Sequence, residues 1–199
     1  MNILLVGGFF GSGKTTVISR LAEQIISAGQ TLCIVENEIG ENSIDTLLLQ
    51  QSSVKITTIA GGCVCCQATG SLIQALRDLK QRFFPDWIIV ELTGIAYLKD
   101  LRDKILKYQE QKCPVICVTI TDAARWKKLL QAAQIIMENQ VGAGDIVVIN
   151  KTNLNPETDE IARDIRQIKN SCRILPLSAA SDSCRMLLEA IEQEAEAYE

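Results

Sequence analysis

Apolar residues along the chain gather into short runs at 2–7, 31–36, 55–60, 87–92, 114–120, 145–150 and 173–178. Runs such as Trp87-Ile88-Ile89-Val90 and Ile146-Val147-Val148-Ile149 are continuous and do not alternate with polar residues. A strand of a parallel sheet is covered on both faces, and continuous apolarity is the pattern that two-sided burial requires. Between these runs the period lengthens to that of a helix. Leu72, Ile73, Leu76, Leu79 and Phe83 share one stripe, and Leu98, Leu101, Ile105 and Tyr108 share another. Ile161, Ile165 and Ile168 make a third, and Leu187, Leu188, Ile191 and Ala195 a fourth within a last helix predicted from about Ser183 to Tyr198. A further helix is predicted from Thr16 to Ala28. Strand and helix in alternation predict an α/β fold of three layers, with a mostly parallel sheet of about seven strands and helices on both faces. Pro85, Pro114, Pro156 and Pro176 fall near expected element boundaries, and no linker, repeat or low-complexity stretch divides the chain. One domain over residues 1–199 is expected.

Composition narrows the function more than the fold. Of 199 residues, 47% are hydrophobic and 22% charged, as in ordinary folded proteins. The net charge of −4 offers no basic surface for phosphate neutralisation, so no nucleic-acid partner is expected. No apolar run approaches the roughly 18 residues needed to cross a bilayer. The first run lacks a basic flank and leads straight into a Gly-Lys loop, so no signal peptide is expected and the chain is assigned to the cytoplasm. Histidine is absent, which removes the commonest general base and the commonest neutral metal ligand. Cysteine is plentiful at eight residues, and in a reducing compartment clustered cysteines serve metal or redox chemistry.

The segment Gly8-Phe9-Phe10-Gly11-Ser12-Gly13-Lys14-Thr15 matches GxxxxGK[ST], between a predicted strand and a predicted helix. Its glycines, with Gly11, Ser12, Gly13 and Thr16 around the turn, let backbone N–H groups converge on a phosphate at the positive end of the helix. Lys14 would reach the β- and γ-phosphates, and the Thr15 hydroxyl would ligate magnesium. Glu91 ends the run 87–90 at the sheet edge where α/β proteins bind ligands, and is the candidate carboxylate for that magnesium. Gly94 follows and could offer an N–H to a γ-phosphate.

Asn150-Lys151-Thr152-Asn153 follows the run at 145–149. Guanine-specific P-loop proteins carry NKxD here, with Asp accepting from two guanine donors. Asn153 stands in its place, and an amide has one acceptor oxygen and turns an NH₂ toward a donor. A rotated Asn153, a neighbouring acid or relaxed base selectivity are the alternatives. Leu177-Ser178-Ala179 resembles the loop whose backbone N–H meets guanine O6.

Gly61-Gly62-Cys63-Val64-Cys65-Cys66 supplies three thiolates between flexible glycines. Soft sulfur donors favour zinc, copper(I) or iron–sulfur centres, but closed structural zinc sites use four ligands. A fourth position open to water, to Glu36, Glu38 or Glu41, or to another protein suits a metal passed onward. A redox dithiol and simple core packing are the other readings. Cys33, Cys113, Cys117, Cys172 and Cys184 lie in or beside apolar runs and are expected to pack.

Taken in order, GGFFGSGKTT at 7–16, ENEIGE at 36–41, GGCVCC at 61–66, ELTG at 91–94, NKTN at 150–153 and LSA at 177–179 resemble the CobW-like family of metallochaperone GTPases, relatives of the nickel-inserting GTPases for urease and hydrogenase. The resemblance implies a P-loop fold and slow GTP hydrolysis through GTP and GDP states. It also implies magnesium at Thr15 and Glu91, and delivery of zinc, cobalt or a similar ion to a client metalloprotein. Many such proteins continue into a C-terminal domain, whereas this sequence stops after the GTPase core. Beside the client metalloprotein, a second copy of the chain, in a homodimer, is a candidate partner. Two other functions stand as alternatives: a small-molecule kinase, which would share the phosphate loop, and a non-enzymatic thiol-redox regulator built on the cysteine segment. Arg77, Arg82, Arg102, Arg125, Arg163 and Arg166 are scattered and read as solvated helix faces, not as the arginine-rich lid of a kinase.

Overall fold

The computed structural model describes residues 1–36, 54–58, 69–109 and 112–198. Seven strands, β1 (Asn2–Gly7), β2 (Leu32–Glu36), β3 (Val54–Thr58), β4 (Trp87–Glu91), β5 (Val115–Asp122), β6 (Ile146–Asn150) and β7 (Arg173–Pro176), form one sheet in the order β3-β2-β4-β1-β5-β6-β7. Every neighbouring pair is parallel. The register brings Gly7, Glu36, Thr58, Glu91, Asp122 and Asn150 to one carboxyl edge.

Alternate residues of each strand face opposite layers. Leu4, Val6, Ile34, Ile89, Val118 and Val148 pack against α1 (Lys14–Ser27) and α7 (Arg185–Glu196) through Ile18, Leu21, Leu187 and Ile191. Ile3, Leu5, Ile88 and Val90 face α2 (Thr69–Phe83) and α3 (Leu98–Tyr108) through Leu72, Leu76, Leu98 and Leu101. Val147 and Ile149 meet α4 (Trp126–Ala132), α5 (Gln134–Ala143) and α6 (Thr158–Ile168) through Trp126, Val141 and Ile165. Each such side chain taken from water contributes about 1.5–3 kcal/mol, which is why both faces must be covered.

The predicted strands hold to within a residue or two, β5 running on to Asp122 beyond the expected 114–120. The hydrophobic pattern predicts no helix between β5 and β6, where α4 and α5 lie. At the amino edge, a cavity of about 270 Å³ opens between α2 and α3, walled by Met1, Ile3, Ile73, Leu76, Ile105 and Phe84. No helix among the described residues is long and apolar enough to cross a membrane.

Candidate functional site

The turn from β1 into α1 builds the centre of the carboxyl edge. Gly13 has a left-handed backbone (φ 95°), and a Cβ there would collide with the Asn150 amide, so only glycine allows this approach. Lys14 and Thr15 open α1 behind it. Lys14 Nζ donates to the Gly8 carbonyl at 2.9 Å. Burial lowers the Lys14 pKa, with the Glu91 charge acting the other way. Ser12 is 1% exposed, and its Oγ lies in the turn with no hydrogen-bond partner among the described residues.

Thr15 and Glu91 come together from neighbouring elements: Thr15 Oγ1 donates to Glu91 Oε1 at 2.9 Å. Burial raises the Glu91 carboxyl above its ordinary value, while the Thr15 hydrogen bond and the Lys14 charge oppose it and the Glu36 charge adds to it. A hydroxyl and a carboxylate at this separation are hard oxygen donors of the kind magnesium takes. The Glu36 effect also reveals that this second carboxylate, at the end of β2, lies within electrostatic reach. Gly94 packs against Phe10 so closely that a Cβ would stand 2.7 Å from the Phe10 nitrogen. Its carbonyl accepts from Gln140 Nε2 at 3.0 Å, leaving its N–H without a partner among the described residues.

Asn150 knots three loops. Its Nδ2 donates to the Ser12 carbonyl at 2.9 Å, and its Oδ1 accepts from the N–H groups of Lys151 (2.8 Å) and Ala179 (3.0 Å). Lys151 holds a left-handed backbone (φ 64°), a conformation that costs a non-glycine residue strain. Its Nζ reaches the Gly11 carbonyl at 2.6 Å and Asp122 Oδ2 at 2.7 Å. Asn153 Oδ1 accepts from Ser178 Oγ at 2.9 Å.

Two residues that no sequence motif marks belong here. Asp122, 1% exposed, pairs with both Lys151 and Arg125. Burial pushes its carboxyl up, but hydrogen bonds from Lys151 and Arg125 and their charges outweigh this and hold it below the ordinary aspartate value. Arg125 is partly exposed, as its spacing leads one to expect, but it is also tied to the site: its Nη2 donates to the Phe10 carbonyl at 2.8 Å, on the rim of the turn. Arg102 departs from that expectation and pairs with Asp145 at 2.9 Å. A charged residue at a strand end is the signal that points to Asp122, but its partner Lys151 lies on another loop.

Cys63, Cys65 and Cys66, with Glu38 and Glu41, fall outside the described residues. Among the described cysteines, Cys33, Cys117 and Cys184 are buried, and burial pushes the thiol pKa to about 12 for Cys117 and about 11 for Cys184. Thiols so poorly ionised are inert packing groups. Cys113 and Cys172 are half-buried and donate S–H to Gln109 Oε1 and to the Lys169 carbonyl.

Known proteins share this chain's sequence pattern and its fold. The chain is 26% identical over 179 residues to the zinc chaperone YjiA of Escherichia coli, covering 83% of this chain and 54% of that protein. It is 31% identical over 161 residues to the zinc chaperone YeiR of the same organism, covering 78% and 48%. The chain thus spans about half the length of these relatives. Among solved structures, HypB from Helicobacter pylori in complex with nickel shares the fold, with a TM-score of 0.73 at 18% identity over 100% of this chain and 89% of that one. Residues 2–176 match the family described as CobW/HypB/UreG, nucleotide-binding domain, and the chain belongs to that family.

Proposed function

We propose that this chain is a nucleotide-switched metallochaperone that binds GTP with magnesium, hydrolyses it slowly, and couples that cycle to delivery of zinc or cobalt to a client metalloprotein. The observation that carries the reading is the convergence on one rim of Lys14, the Thr15–Glu91 pair and the nearby Glu36 charge. Glu36 shares that rim with Thr58, the last residue of β3, and the cysteine segment 63–66 follows β3 in sequence. The relatives named zinc chaperones support the cargo, and so does the soft-donor chemistry of Cys63, Cys65 and Cys66.

In this reading Lys14 leaves the Gly8 carbonyl to meet the β- and γ-phosphates. The N–H groups of residues 11–16 cradle the phosphates, and Ser12 Oγ gains the partner it otherwise lacks among the described residues. Thr15 and Glu91 would hold magnesium, whose charge neutralises the phosphate oxygens during transfer. Gly94 N–H stands beside Phe10 to sense the γ-phosphate. Catalysis here is positioning and electrostatics, with water as the nucleophile.

The test has two arms. Lys14→Ala should weaken GTP and GDP binding by about a hundredfold or more, and unchanged binding would defeat the P-loop assignment. Anaerobic zinc and cobalt titrations of wild type and a Cys63/Cys65/Cys66 triple serine variant, each with GDP or a non-hydrolysable GTP analogue, address the cargo. The wild type should show a nucleotide-dependent affinity that the triple variant loses. Equal affinity in both nucleotide states would remove the coupling, because linkage is reciprocal.

A further inference from the structure

The contacts around Asn153 decide which of its atoms is left to face a nucleobase. Ser178, itself 3% exposed, donates its hydroxyl to Asn153 Oδ1 at 2.9 Å. The carbonyl side of the amide is thereby turned to Ser178. The NH₂ makes no hydrogen bond among the described residues, and Asn153 is exposed. Asp182, the acid on the neighbouring loop, is committed at both oxygens: Oδ2 accepts from Ser178 N–H at 2.7 Å and Oδ1 from Ser181 Oγ at 2.9 Å. Both bonds tie Asp182 to residues of its own loop. Ala179 N–H is held by Asn150 Oδ1, while Ala180 N–H has no partner among the described residues and can meet a 6-keto oxygen.

Guanine presents two donors on the edge that this position reads, N1–H and the 2-amino group. An aspartate accepts both. Asn153 Oδ1 keeps a second lone pair for N1–H, but the Asn153 NH₂ would then stand donor against donor with the 2-amino group. Hypoxanthine lacks that amino group. Xanthine carries a carbonyl oxygen in its place, into which the Asn153 NH₂ can donate. Adenine fails at the other end, where its 6-amino group would face Ala180 N–H.

We infer that Asn153, oriented by Ser178, sets the base pocket against a 2-amino group, so that the preferred nucleotide is a 6-keto purine with an oxygen or hydrogen at C2: xanthosine or inosine phosphates over guanosine phosphates. This rests on the P-loop function proposed above and refines its substrate.

The experiment measures binding of fluorescently labelled XDP, IDP, GDP and ADP with magnesium, and hydrolysis of the four triphosphates, by wild type, N153D and S178A. Asn153 is exposed, so N153D should melt close to wild type, which a thermal scan checks. Wild type should bind XDP about tenfold tighter than GDP, with IDP between and ADP weakest. N153D should reverse the order, gaining about a hundredfold for GDP through a charge-assisted pair and losing affinity for XDP. S178A frees the amide to rotate and should narrow the XDP-to-GDP ratio. Wild-type affinity for GDP equal to or above that for both XDP and IDP overturns the assignment while leaving the P-loop function standing. Failure of all four diphosphates to bind, with no triphosphate hydrolysed, removes that function and the base assignment together.

Discussion

Asp122 closes β5 at the carboxyl edge of the sheet, and Asp145 precedes β6 at the amino edge. Each carboxylate takes backbone N–H groups and two cations. Asp122 accepts from Ala124 N–H at 3.0 Å and binds Lys151 and Arg125, whose other hydrogens reach the Gly11 and Phe10 carbonyls of the phosphate turn. Asp145 accepts from Cys117 N–H at 2.9 Å and binds Arg102 on α3, with Lys169 at 4.0 Å after α6. The same construction therefore serves two ends. One aims its cations at a ligand loop, and the other staples helices to the sheet. Around them the edges differ in kind: Ser12, Lys14, Asp122, Asn150 and Ser178 are buried polar groups of the carboxyl edge, whereas the amino edge encloses an apolar cavity.

Truncating both acids gives the largest expected contrast. Asp122→Ala should cost about 3 kcal/mol of stability, because two cations lose a buried partner, and should also weaken nucleotide binding by about tenfold or more. Asp145→Ala should cost about 1–2 kcal/mol, its pair being partly exposed, and leave nucleotide affinity unchanged. Urea melts and GDP titrations of both proteins decide it; an equal loss of affinity at Asp145 would erase the division between edges. Gly94→Ala comes next. A Cβ 2.6 Å from Phe10 Cγ and 2.7 Å from its nitrogen forces the turn off the phosphate loop. Single-turnover hydrolysis should fall by about a hundredfold while GDP affinity moves little.

A subtler contrast is in pH. The folded Asp122 carboxyl lies below the ordinary value of 3.8, so its stabilisation is complete above that value and is lost as pH falls through the depressed one. The stability gap between wild type and Asp122→Asn should stay flat near neutrality and close only in stronger acid, read from urea midpoints across pH. A gap that closes between about pH 5 and 7 would mean another group is responsible. Smallest of all, Ile73→Phe places more apolar volume in the amino-edge cavity and should shift stability by under about 1 kcal/mol in either direction, with GDP binding untouched.

The strands were legible because two-sided burial leaves an unbroken apolar signature, as in Ile146–Ile149. Helices α4 and α5 were not. Ala133 breaks them with a non-helical backbone (φ −141°, ψ 39°), and α5 exposes Ile135 while burying Gln140, so its stripe contradicts its burial. Lys14, Thr15 and Glu91 could be read locally, since a loop motif and a strand end place them. Asp122 shares the strand-end signal, but its pairing could not be read, nor could Arg125, because their roles come from Lys151 and Phe10, residues remote in sequence that the fold alone brings near.

The Asn150 amide grips the phosphate turn, its own loop and the 178–182 loop at once. Such a clasp makes the two ends of a bound nucleotide mechanically interdependent. If the proposed sites hold, a base that sits badly would tilt the cradle for its own phosphates, so discrimination among purines should register in turnover as well as in occupancy.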